Sequence, residues 1–128
     1  MYIRFVVEIK DERSGRRKGV FAALGVFKKN PEVNAQDYNS YRALADWFNE
    51  NLDMPSKFNR SSKPNAKPKA LSWYKDSATE YIQKTREVAE LLIKYGIEVE
   101  MLKTNRTGHI VYESETQIVA EPYRDTIT

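Results

Sequence analysis

The chain has 128 residues, 41% of them hydrophobic and 30% charged, with a net charge of +3 and no cysteine. That composition belongs to a globular chain rather than a disordered one. The missing thiols exclude disulfides, zinc–thiolate sites, iron–sulfur clusters and thiol catalysis. The opening MYIRFVVEIKDERSG carries an apolar run broken by Arg4 and Glu8. This is neither a signal peptide nor a membrane span, so the expectation is a cytoplasmic protein with no membrane partner.

Residues 2–9 are rich in β-branched and aromatic side chains and predict a strand. The polar stretch 10–17 with Gly15 reads as a turn. Val20, Leu24 and Phe27 then fall at helical spacing until Asn30-Pro31, a stop signal. A stronger helix follows Asn34, a good N-cap, with Tyr38, Tyr41, Ala45, Phe48 and Leu52 on one stripe. Asp53-Met54-Pro55 ends it. Tyr38, Tyr41, Trp47 and Phe48 read as core residues. Residues 56–70 lack any period and hold Pro64 and Pro68, which predicts a flexible basic loop.

Ser77-Ala78-Thr79-Glu80 fits a capping box. Ala78, Ile82, Thr85, Ala89 and Leu92 continue the helix it opens, which starts there or near Ser72. Lys94 and Gly96 mark its C-terminus. Residues 97–103, 109–113 and 116–121 predict a three-stranded antiparallel meander. The expected order is β-α-α-α-β-β-β, a single α+β domain over 1–128 with an antiparallel sheet and helices on one face.

The positive charge sits in two blocks. Residues 10–29 carry seven basic and two acidic side chains, and 57–75 carry six basic and none acidic. Segments 30–56 and 76–128 are each negative. In the first block Arg13, Arg16, Arg17 and Lys18 surround Ser14-Gly15 at the entry to a helix, an arrangement that can hold phosphate through amides and the helix dipole. Its spacing is neither that of a P-loop nor that of a dinucleotide fingerprint. The second block mixes Lys57, Arg60, Lys63, Lys67, Lys69 and Lys75 with Phe58, Trp73 and Tyr74. Cations neutralise phosphates and aromatics stack on unpaired bases, as single-strand binding requires. The plainer alternative is a solvated loop whose aromatics pack on the core.

His109 is the only histidine. Without cysteines or a second histidine it builds no metal site. Glu98 and Glu100 share a strand face, where a polar outer surface explains them better than a magnesium site. No cofactor is expected.

The pieces SGRRKGVF, DWFNENL, WYKDSATEYI and GHIVYESETQIVAEPY resemble small bacterial and phage proteins without an assigned function. The stretch TGHIVYESETQIVAEPYR at 107–124 is also similar to the end of RelE/ParE-type toxins, which pair a strand of the form Gly-x-x-x-x-Tyr with a following strand. That likeness implies ribosome-dependent RNA cleavage by residues such as His109, Tyr112 and Arg124. Ile110 stands where those strands often carry arginine, and the extra helix and the proline-bearing loop depart from the toxin plan. The leading expectation is a non-enzymatic binding module whose basic surface engages single-stranded nucleic acid or an acidic protein. The alternatives are the toxin-like ribonuclease and a plain interaction subunit. The sequence does not fix an oligomeric state.

Overall fold

A computed structural model of the chain describes residues 1–52 and 70–128, apart from the side chains of Val26 and Lys28. The predicted loop 56–70 therefore lies, except for Ala70, outside the described residues. In chain order the elements are β1 (Tyr2–Lys10), β2 (Arg17–Gly19), α1 (Val20–Ala23), α2 (Gly25–Lys29), α3 (Ala35–Asn51), β3 (Leu71–Lys75), α4 (Thr79–Lys94), β4 (Val99–Thr104), β5 (His109–Glu113) and β6 (Gln117–Glu121). The fold class is α+β, with an antiparallel sheet of strand order β2-β1-β3-β6-β5 and β4 paired to β1.

The expected order gains two strands. Residues 17–19 pair with β1 instead of opening a helix, and residues 71–75 form β3 instead of an early turn of α4. The meander is also corrected, because β4 leaves the β5–β6 hairpin to pair with β1, and β6 takes β3 as its other neighbour. The strand assignments of Ile110, Tyr112, Ile118 and Ala120 hold.

The contacts divide the chain into two units, the first comprising Met1–Arg4, 70–82 and Met101–Thr128 and the second Phe5–Leu52 and Gln83–Glu100. In the first, β6 lies between β3 and β5, so every one of its five residues is buried, polar Gln117 and Glu121 included. Trp73 stands opposite Ile118 in this ladder, and both are closed to solvent. Ala78 and Ile82 on the first turns of α4 and Ile3 on β1 complete the apolar set. The capping box does not form as read: α4 begins at Thr79, which makes Ala78 the residue before it, not Ser77.

In the second unit α3 starts as expected, with the Asn34 side chain accepting the Asp37 amide at 2.8 Å. Its buried stripe is Asp37, Tyr41, Leu44 and Phe48. Tyr38, expected in the core, is 38% exposed, and Trp47 is half-buried. Phe27 stacks on Tyr41 at 5.7 Å and meets Tyr95 edge-on at 5.3 Å, which fixes the α1–α2 segment against α3 and the end of α4. That end is a Schellman turn: Gly96 has φ 86, its amide donates to Ile93 O, and Ile97 N donates to Leu92 O.

Asp37 joins two helix termini. It accepts from Tyr95 Oη at 2.5 Å and Lys94 Nζ at 2.8 Å while Asn34 donates to it at 3.1 Å. Lys94 and then Tyr95 hold its carboxyl below the ordinary value of 3.8. A depressed carboxylate contributes stability that is present above the unfolded pKa and lost as pH falls through the folded one. Wild type should therefore lose urea resistance below about pH 4. Asp37→Asn should be weaker at neutral pH and lose less on acidification, as midpoints at pH 7 and pH 3 will show.

Gly108 precedes β5 with φ +117, and a Cβ there would stand 1.9 Å from the Glu121 carbonyl oxygen. Both conformation and space demand glycine. Gly108→Ala should cost at least about 2 kcal/mol in chemical denaturation. Gly15→Ala, at φ +69 but with open space around the new methyl, should cost about 1 kcal/mol.

Candidate polyanion-binding site

The first basic block folds as the β1–β2 hairpin. Asp11 organises its turn, since its Oδ1 accepts the amides of Arg13 at 2.8 Å and Ser14 at 3.0 Å. Asp11 N also donates to Arg16 O at 2.7 Å, and Gly15 N to Asp11 O at 2.8 Å. The Ser14 and Arg13 amides hold the Asp11 carboxyl below its ordinary range. An internal carboxylate thus occupies the amide cradle where a phosphate was expected. The helix that follows β2 is only four residues long, so no helix dipole serves an anion here. The site offered by this hairpin is one of side-chain charge alone.

Register places Lys10 opposite Arg17, a like-charged pair that is unfavourable unless offset. Arg17 is offset: it bonds Glu100 and, at 3.1 Å, Glu8. Glu100 first, with Glu8 behind it, raises the pKa of its guanidinium. Arg17 is therefore structural, not available to a ligand. Glu100 is accounted for by the same contact, whereas Glu98, expected to share its strand face, precedes β4 and is not part of the strand. Arg13 is exposed and Arg16 and Lys18 are half-buried, and none of the three forms an ion pair among the described residues.

Lys57, Arg60, Lys63, Lys67 and Lys69 lie outside the described residues. Trp73 is 1% exposed on β3, so it cannot stack on a base while the chain is folded. For Trp73 the plainer alternative, packing on the core, is the one observed. Lys75 is held by Glu113 at 2.6 Å, which consumes its charge.

His109 and Tyr112 are separated by a bulge. Ile110 pairs with Ala120 and Tyr112 with Val119, leaving Val111 extra. The bulge brings His109 and Tyr112 to one face of the sheet, where plain alternation would put them on opposite faces. His109 is exposed and Tyr112 half-buried. Arg124 is exposed beyond β6, and among the described residues no bond joins it to either. The cation that does engage this end of the chain is Arg106, 2.9 Å from Asp125 and over the Tyr123 ring.

No group of three or more metal-ligating side chains occurs among the described residues, and no described helix is long and apolar enough to cross a membrane. The residue that sequence reasoning missed is Asp11. Its signal is local: an aspartate four positions ahead of a glycine in a polar stretch, the pattern of a side chain that caps its own turn.

Comparison with family models, with curated proteins and with solved structures gave no match. Fold and site together define an α+β protein with a cationic hairpin whose turn is closed by its own carboxylate.

Trp73→Ala should lower stability by about 3–5 kcal/mol, the cost of deleting a buried aromatic. Trp47→Ala, on the half-buried side of α3, should cost clearly less in the same denaturation series.

Proposed function

We propose that the protein is a non-enzymatic module that engages the phosphate backbone of a nucleic acid through the β1–β2 hairpin. The observation that carries this reading is the set Lys10, Arg13, Arg16 and Lys18 on a turn closed by Asp11. Of the carboxylates nearest to hand, Asp11 is held by backbone amides and Glu8 and Glu100 by Arg17, while Glu12 is exposed in the turn and forms no ion pair among the described residues. Cations that form no ion pair among the described residues, carried on a hairpin, are what backbone recognition needs, since phosphate contacts require charge rather than shape. The burial of Trp73 removes the stacking contribution from the described surface. Binding is then governed by charge and has little base preference.

Affinity for single-stranded RNA or DNA should fall with salt at about −0.7 in log–log slope per phosphate engaged, near −3 for four cations. Changing Lys10, Arg13, Arg16 and Lys18 together to glutamine should flatten that slope and leave the melting temperature nearly unchanged. Arg17→Gln should do the reverse, lowering stability because Glu8 and Glu100 lose their common partner. Absence of binding to any strand at low salt would overturn the reading in favour of an acidic protein partner. The same-face placement of His109 and Tyr112 favours one other reading, a toxin-like ribonuclease. RNA cleavage by the purified protein that His109→Ala abolishes would support it.

A further inference from the structure

Arg4 is a half-buried cation that forms no ion pair among the described residues. Its Nη1 donates to Ser72 O at 3.1 Å, while its Nε is closed to solvent and meets no acceptor. Burial alone pulls its pKa down to about 10. Three carboxylates of the same unit are engaged by other groups: Asp76 by the Met1 ammonium, Glu113 by Lys75 and Asp125 by Arg106. Glu121 stands opposite His109 on β6, on the other face of the sheet from Trp73.

A second orphan donor lies beside it. In the β1–β3 ladder Tyr2 pairs with Lys75 and Ile3 with Tyr74, so the next step of the register sets Arg4 opposite Trp73 on one face. The Trp73 indole Nε1 is also fully buried without an acceptor. Buried donors normally find partners, and two orphans side by side call for an explanation. One shared acceptor would answer both. With Nη1 used by Ser72, the guanidinium has its Nε–Nη2 edge free, the fork that takes a carboxylate or phosphate side-on. The indole N–H would supply a third donor. Arg4 as a residue is half-buried, while Nε and the indole Nε1 are themselves closed to solvent.

We propose that Arg4 and Trp73 form a binding site for a single small oxyanion, a carboxylate or a phosphate group. This site uses none of the hairpin cations and is independent of the polyanion reading.

The test follows the two indole N–H signals of the ¹⁵N-labelled full chain, assigned with Trp47→Phe. Sodium phosphate, and separately sodium acetate, is titrated against sodium chloride at equal ionic strength. The Trp73 signal should shift saturably with one or both oxyanions and the Trp47 signal should not. Arg4→Lys, which keeps the charge but loses the fork, should weaken the effect about tenfold, and Arg4→Met should abolish it. The hairpin glutamine variant should retain it. A Trp73 signal indifferent to both ions, or one that shifts equally in Arg4→Lys, would overturn the proposal.

Discussion

Strand β1 is the element on which the rest depends, because it hydrogen-bonds to β2, β3 and β4. Ile3, Phe5, Val6 and Val7 are all buried along it, and its two ends belong to different compact units. Its near-continuous apolar middle is what a strand covered on both faces requires, and Phe5, Val6 and Val7 are buried in succession. Its polar tail, from Glu8 onward, is what lets it run on into the cationic hairpin. Ladder and hairpin are thus consequences of one nine-residue segment, apolar at first and charged at the end.

Which cations remain available is decided by carboxylates rather than by the net charge. Asp11 is held by the amides of its own turn and forms no ion pair with Arg13, Arg16 or Lys18 among the described residues, although its charge is felt by Lys18 and Arg13. Glu8 and Glu100 converge on Arg17 and relieve its repulsion with Lys10. Glu113 takes Lys75. The same accounting leaves Arg4 without an ion pair among the described residues, since Asp76, Glu113 and Asp125 serve other groups. A charge count over residues 10–29 or 57–75 overstates what a ligand can meet, since it treats paired and unpaired cations alike.

The parts of the fold legible in the sequence are those set by local chemistry. Asn34 caps α3 through its own side chain, Gly96 closes α4 in a left-handed conformation, and the short connection at Ser114-Glu115 joins β5 to β6. The parts that were not legible depend on pairing across the chain. Residues 17–19 are too few to show a period, and LSWYK, lying close before the helix, resembles its first turn until β1 and β6 claim it. Nothing within 97–103 announces that its partner is β1. The site divides the same way. Its basic residues are visible as charge, but the role of Trp73 was fixed by a strand with neighbours on both edges, which composition does not encode.

The central claim is that the hairpin cations are the surface a polyanion meets. The most direct measurement is a map of backbone amide shifts as a short single-stranded oligonucleotide is added at low salt. The account predicts changes concentrated at residues 10–18, with Arg13, Arg16 and Lys18 moving most and all of them reversed by added salt. Shifts centred on His109 and Tyr112, or none within the hairpin, would contradict it.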